Sequence, residues 1–120
     1  MPVELEFGLI AVSSYPGTAT EPAAAPITRR LDVDAAGRDV LIVDDVLDTG
    51  GTLRRVQDEL RRRPRSLKTA VLLRKRRPTP SSAAADFVGF DIDHVWVVGY
   101  GLDFDNRHRN LPYVVEFIGA

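Results

Sequence analysis

The sequence predicts an α/β domain built on a mostly parallel sheet with few helices, and three stretches carry that expectation. Val40 to Val43 is an unbroken aliphatic run closed by Asp44 and Asp45, the form of a strand buried on both faces. From Thr52 the period changes, with Leu53, Val56 and Leu60 recurring at helical spacing and Pro64 ending the run. Leu67 to Leu73 (LKTAVLL) then returns to strand. Strand, helix and strand joined by short linkers make the sequence form of a right-handed parallel crossover.

The remaining elements follow from composition and punctuation. Val3 to Val12 (VELEFGLIAV) starts as apolar/acid alternation and ends as an apolar run, which predicts a strand partly buried on both faces. Ser13 to Pro26 holds three Pro and one Gly among small and polar residues, so 13–26 is expected to be a flexible loop. Ile27 to Leu31 reads as a short edge strand, Asp34 to Arg38 as a turn, and most of Pro78 to Asp86 as loop. Val95 to Val98 (VWVV) predicts a buried strand closing at Gly99, and Tyr113 to Ile118 a last antiparallel or edge strand. A parallel sheet needs helices on both faces, yet only one good helix can be found.

With 120 residues, 44% of them hydrophobic and 28% charged, the chain makes one ordinary globular domain over 1–120. It contains no Cys, which excludes disulfides and thiolate metal sites. No basic leader precedes an apolar run and no apolar stretch nears the roughly 20 residues of a bilayer span, so a cytoplasmic protein without membrane contact is expected. The net charge is −1, but 11 of the 16 Lys and Arg lie between Arg54 and Arg77, where the only acids are Asp58 and Glu59. Such a block can be a nucleic-acid surface. No aromatic residues are interleaved for base stacking, so the favoured reading is that Arg61, Arg62 and Arg63 complement a helix C-terminus and the rest are solvated.

The chemistry concentrates in VLIVDDVLDTGGT, Val40 to Thr52. Carboxylates repel anions unless a cation intervenes, whereas a Gly/Thr turn opening a helix cradles a phosphate. Together they imply one ligand with both a metal-binding part and a phosphate. Adjacent residues of a strand point to opposite sides, so Asp44 and Asp45 are expected at the strand's carboxyl end, reaching two parts of that ligand. A helix N-cap with a tight turn accounts for Asp48 and Gly50 alone; it does not account for Asp44 and Asp45.

This segment resembles the 5-phosphoribosyl 1-pyrophosphate (PRPP) motif of type I phosphoribosyltransferases. AVSSY (Ala11 to Tyr15) is similar to the start of the catalytic loop of the hypoxanthine-guanine branch. LLRKRRP (Leu72 to Pro78) is similar to its purine-binding Lys strand, and DFVGFDIDHVWVVGYGLDFDNRHRNLPYV (Asp86 to Val114) to its C-terminal base site, so that 86–120 forms a purine-site hood. The resemblance implies transfer of the phosphoribosyl group of PRPP to hypoxanthine or guanine, giving IMP or GMP and pyrophosphate, with Mg²⁺ as cofactor. It implies that Asp44 and Asp45 hold the ribose hydroxyls, with Mg²⁺ nearby, and that Asp48 is the base near purine N7. Asp48, Thr49, Gly50, Gly51 and Thr52 would cradle the 5′-phosphate. Lys75 would donate to the 6-oxo group, Trp96 would stack on the base, and Val97 would read the 2-position through its backbone. Asp103 would bind Mg²⁺ and border the purine, Arg109 would contact pyrophosphate, and Ser14 and Tyr15 would belong to the closing loop. His94 and His108 are expected to be exposed and receive no role.

Members of that family carry a further strand, helices and a pyrophosphate loop upstream of the segment matching Val3 to Val12. The expected fold is therefore an N-terminally truncated phosphoribosyltransferase-like sheet, with a gap between the Val3 to Val12 strand and the Val40 to Val43 strand. An uncovered apolar sheet face predicts self-association into a homo-oligomer. The alternative to an enzyme is a regulator that binds PRPP or nucleotides without turnover, or a truncated member acting through self-association. VLIVDD also resembles the first strand of response-regulator receivers, but LKTAVLL ends in Arg74 and Lys75 rather than a phosphoacceptor Asp, and DTGGT has no place there.

Overall fold

The computed structural model describes residues 3–12, 27–61 and 63–118. Its elements run β1 Ala11–Val12, β2 Ile27–Arg29, β3 Asp39–Leu47, α1 Gly51–Leu60, β4 Ser66–Lys75, β5 Phe87–Ile92, β6 Val97–Val98 and β7 Val115–Glu116. The centre is a parallel sheet of order β3-β4-β5, flanked by two antiparallel pairs, β1 with β2 and β6 with β7. As the sequence predicted, β3, α1 and β4 form one parallel crossover, with Val40 opposite Leu67 and Ile42 opposite Thr69.

One face of the sheet is covered. Leu53, Val56 and Leu60, one stripe of α1, pack with Ile42, Leu47 and Val71, and Ala35 and Ala83 close the cluster. Thr69 is the buried polar residue of this layer, and its hydroxyl accepts from Gln57 Nε2 at 3.1 Å while its N–H donates to Asp86 Oδ2 at 2.8 Å. The opposite face is bare: Leu41 is 55% and Val43 75% exposed. A single helix covers one side, and among the described residues no second layer exists.

Polar side chains fix the register of the strands. Asp39, opening β3, accepts from Arg65 Nε at 3.1 Å and from Ser66 Oγ at 2.6 Å, and these bonds hold its pKa down at about 2. Arg74 grips Asp91 with Nε and Nη2 at 2.6 and 3.0 Å, joining β4 to β5. Both pairs are exposed, so their contribution is register more than stability.

Several boundaries differ from the sequence expectation. Only Ala11–Val12 of the Val3 to Val12 segment is strand, and Val3, Leu5, Phe7 and Leu9 are exposed, because no described residue offers residues 3–10 an edge to pair with. The strand after Asp34 to Arg38 runs through Asp44 and Asp45 to Leu47. β5 was hidden in sequence by Gly89, which weakens a strand pattern. A Cβ there would lie 2.5 Å from the Leu72 carbonyl oxygen, so the bare position is what lets β5 lie against β4. Val97–Val98 joins β7 rather than the parallel sheet, and the Ile27 to Leu31 strand shortens to Ile27–Arg29. The 13–26 segment, with Ser14 and Tyr15, lies outside the described residues, as does Arg62.

This one-sided core makes a contrast that urea denaturation measures. Leu60→Ala is expected to cost about 2–5 kcal/mol, since a buried leucine is replaced by a cavity. Val43→Ala is expected to stay within about 0.5 kcal/mol, as its side chain already stands in water.

Candidate active site

The site begins where β3 stops. Asp48 and Thr49 follow Leu47, and Gly50 turns the chain with φ of +87° as the N-cap of α1. A Cβ at Gly50 would lie 2.7 Å from the Ala83 backbone nitrogen, so both the left-handed backbone and the close approach require glycine. The turn is tied to the loop after β4, because the Thr49 carbonyl accepts from Ser82 N at 2.9 Å and from Ser82 Oγ at 3.2 Å. Gly51 N donates to Thr49 Oγ1 at 3.4 Å, and α1 has no acidic residue in its first turn and no side-chain cap from Gly50. The first-turn N–H groups after Gly51 therefore remain available to an anion.

Three cationic or protonatable groups converge on Asp48. Arg77 Nη1 donates to Asp48 Oδ1, Lys75 Nζ stands 3.7 Å from Oδ2, and His94 Nε2 stands 3.5 Å from Oδ1. The selection within Arg74–Arg77 follows the two-residue period of a strand. Arg74 and Arg76 point one way, to Asp91 and Asp93, while Lys75 and Arg77 point the other way, to Asp48. Lys75 also lies 5.8 Å from the ring centroid of Trp96, a cation–π distance. Trp96 is 53% exposed and meets Phe104 edge-on at 6.0 Å, and Phe104 stacks on Phe117 at 4.5 Å. A cleft of about 500 Å³ opens beside Asp48, Lys75 and Arg77.

Asp44 and Asp45 lie inside β3, contrary to their expected place at its end. Each accepts from the backbone N–H of the next residue: Asp44 Oδ1 from Asp45 N at 2.9 Å, and Asp45 Oδ1 from Val46 N at 2.7 Å. Asp44 is part-buried and Asp45 exposed, as the two-residue period of a strand places them. Burial pushes the Asp44 pKa up to about 6, opposed by its bond from the Asp45 backbone and reinforced by the Asp45 carboxylate.

Beyond β6, residues 99–111 form tight turns with left-handed backbone at Tyr100, Asp105, Asn106 and His108. They present Asp103, which accepts from Asn106 N at 2.7 Å and pairs with Arg109 Nη2 at 3.3 Å. Arg109 Nη1 also donates to the Gly101 carbonyl at 2.8 Å. Val97 sits in β6 opposite Glu116.

The model of the phosphoribosyl transferase domain matches residues 2–105. The chain belongs to the phosphoribosyltransferase family. The hypoxanthine-guanine phosphoribosyltransferase of Mycobacterium tuberculosis is 45% identical over 115 residues, 95% of this chain and 57% of that protein. The hypoxanthine phosphoribosyltransferase of Haemophilus influenzae is 44% identical over 119 residues, 98% of this chain and 65% of that protein. Among solved structures, a hypoxanthine phosphoribosyltransferase from Staphylococcus aureus superposes with a TM-score of 0.86 at 35% identity, covering 96% of this chain and 63% of that one. The Trypanosoma cruzi hypoxanthine phosphoribosyltransferase in complex with the product IMP superposes with a TM-score of 0.79 at 38% identity, over 95% of this chain and 60% of that one. The chain thus spans about three fifths of the length of these relatives.

Within this phosphoribosyltransferase fold, Asp48, the Thr49–Thr52 turn, Lys75 and Trp96 form one neighbourhood, whereas Asp103 and Arg109 pair with each other in the turns after β6. Asp44 and Asp45 offer the hard oxygen donors that Mg²⁺ takes, so the donor chemistry fits the ion. Among the described residues no three His, Asp or Glu side chains cluster as a ready-made metal cage, and Asp103 does not join the pair. Mg²⁺ commonly uses one or two carboxylates and completes its shell with water and substrate phosphates, so this is no obstacle. Sequence reasoning missed Arg77 and His94. Arg77 was legible from strand alternation in RKRR; His94 was not, because it reaches Asp48 only through the fold.

The raised pKa of Asp44 sets a pH dependence of stability. Between about 4 and 6 the native carboxyl keeps a proton that the unfolded chain has lost, so stability falls as pH rises through this window. The shift corresponds to about 3 kcal/mol, which solvent screening reduces to roughly 1–2. Asp44→Asn is expected to flatten the Tm-against-pH curve across this window and to raise Tm at pH 8.

Proposed function

We infer that the chain carries a purine phosphoribosyltransferase site, transferring the phosphoribosyl group of PRPP to hypoxanthine or guanine with release of pyrophosphate. The observation that carries the reading is the meeting, at Asp48, of an open helix N-terminus suited to a phosphate and the Lys75–Trp96 pair suited to a flat base with a carbonyl. The names of the relatives and the IMP in the Trypanosoma structure support the same substrate class.

In this reading the backbone N–H groups and hydroxyls of Thr49 to Thr52 hold the 5′-phosphate, and Asp44 and Asp45 orient the ribose. Lys75 donates to the 6-oxo oxygen, Trp96 lies against the ring and Val97 meets the 2-position through its backbone. Asp48 accepts the proton at N7 as the glycosidic bond forms, so that the base attacks as a neutral nucleophile. The developing oxocarbenium-like centre must be kept from water, the task assigned to the segment containing Ser14 and Tyr15. Asp44, Asp45 or Asp103 would hold Mg²⁺, which when bound would supply positive charge against the pyrophosphate leaving group, and Arg109 contacts that group as well. The same reading takes the protein as a cytoplasmic homo-oligomer that meets PRPP and a purine without membrane contact, with the basic block as the one region open to nucleic acid. Most of the Arg54–Arg77 basic residues are paired with acids, which favours the reading of that block as a solvated surface. Among the described residues no helix is long and apolar enough to cross a membrane.

A second reading, ligand binding without turnover, is favoured by one contact: Arg77 already occupies the Asp48 oxygen that a base would need. Incubation with Mg²⁺, PRPP and hypoxanthine separates the two. IMP formation is expected, with Asp48→Asn lowering kcat by about 10²–10⁴-fold and Lys75→Ala acting mainly on the KM for purine. Turnover unchanged in Asp48→Asn removes Asp48 as the base; calorimetric PRPP binding without product establishes the second reading.

A further inference from the structure

Arg74 and Arg77 stand at the same end of β4 and each meets a carboxylate, but in different ways. Arg74 presents Nε and Nη2 together to the two oxygens of Asp91, the paired geometry in which a guanidinium binds a planar anion best. Arg77 gives Asp48 one group, Nη1, on one oxygen, Oδ1. Its Nε is sealed from solvent without a hydrogen-bond partner, and among the described residues it is the buried side-chain polar atom left in that condition. A buried N–H without an acceptor costs free energy, so the pose on Asp48 leaves the guanidinium short of a partner.

Asp48 does not depend on that contact. Lys75 Nζ stands 3.7 Å from Oδ2, His94 Nε2 stands 3.5 Å from Oδ1, and 37% of the Asp48 side chain is exposed. Departure of Arg77 therefore leaves the carboxylate with a cation, a protonatable ring and water, not as a bare buried charge. Thr49, the next residue, opens the turn whose N–H groups and hydroxyls suit a phosphate, so the guanidinium already lies beside that cradle. A phosphate there would meet the Asp48 carboxylate at close range and needs a cation between them. Arg54, in the first turn of α1, is engaged with Asp58 and the Ser82 carbonyl. Arg77 is better placed, because the cleft of about 500 Å³ that it lines with Asp48, Thr79 and Ser81 gives its side chain room to swing. A phosphate monoester carries roughly two negative charges at neutral pH against one on a carboxylate, and its oxygens can accept from Nε and an Nη group together.

We propose that Arg77 is the side-chain cation of the phosphate subsite and that it exchanges partners: when a sugar phosphate enters the Thr49–Thr52 turn, Arg77 moves from Asp48 onto the phosphate and leaves Asp48 Oδ1 to accept from the purine. One residue thereby couples the two halves of the site. Binding of the sugar phosphate uncovers the acceptor that the base needs, and by reciprocity binding of the base favours the phosphate. The Arg77–Asp48 contact is then the resting half of a switch and not a block. No covalent bond forms or breaks in the exchange. The inference rests on the purine phosphoribosyltransferase reading of the site and adds to it a binding residue and an energetic link.

Calorimetry of the full chain with ribose 5-phosphate and hypoxanthine tests the exchange. In the native protein, saturating ribose 5-phosphate is expected to tighten hypoxanthine binding about tenfold or more. Arg77→Met, which keeps an aliphatic stem, is expected to weaken ribose 5-phosphate about tenfold or more and to abolish the coupling, so that hypoxanthine binds equally well with and without it. Arg77→Lys restores the charge without the paired donors and is expected to fall between the two. Binding of both ligands without coupling in the native protein, or coupling retained in Arg77→Met, overturns the proposal and leaves the reading of the site standing. A native chain that binds neither ligand, alone or together, overturns both. The Arg77 Nε–H resonance needs no variant: it is expected to shift as ribose 5-phosphate is added, and a resonance unmoved at saturation overturns the exchange of partners.

Discussion

The left-handed turn at Gly50 holds the functional half of this molecule together. It ends β3, opens α1 without a side-chain cap at position 50, and admits the backbone of Ser82 and Ala83 so closely that no side chain fits there. The loop after β4 is thereby pinned to the end of β3, and the start of that loop carries Arg77 onto Asp48. Turn, helix terminus and cation cluster are consequences of one backbone conformation, because only a residue without Cβ can occupy a positive φ under that contact.

Charge is distributed by the same local geometry. The basic block looks uniform in sequence, but strand alternation divides it, sending Arg74 and Arg76 to the acids of β5 and its following turn, and Lys75 and Arg77 to the site. One set fixes strand register at the surface, where ion pairs contribute little energy. The other surrounds a carboxylate beside an aromatic platform, where orientation matters more than net attraction. Asp44 adds the opposite case: a carboxylate whose charge is disfavoured by burial and by its neighbour, a state that a bound cation would relieve.

The sheet itself is one-sided. α1 covers one face with Leu53, Val56 and Leu60, while Leu41 and Val43 stand in water on the other, and the edge of β3 faces a cleft instead of a strand. Exposure of this kind is a property of an interaction surface more than of a finished monomer. The cation cluster and the open edge thus lie at different ends of the same strand, with Asp48 just after its last residue and the cleft along its first half.

The crossover of β3, α1 and β4 was legible in sequence because an aliphatic run and a helical period are local signals, and the Asp-Thr-Gly-Gly turn because Gly and Thr have few other uses there. The resemblance to phosphoribosyltransferases rested on short motifs of the same local kind. What sequence could not decide were pairings between distant segments. Residues 3–10 alternate like a strand yet find no partner; β5 forms through a close approach at Gly89; and the hood strand Val97–Val98 joins Val115–Glu116 rather than the main sheet. The carboxylates of Asp44 and Asp45 each took a bond from the next residue's backbone N–H, and His94 reached Asp48 from across the fold. Sequence alone determined which residues offer carboxylates, hydroxyls, a glycine turn, a lysine and an aromatic face. Tertiary structure decided which of them meet, because hydrogen-bonded edges and side-chain directions are settled only when strands remote in the chain lie side by side.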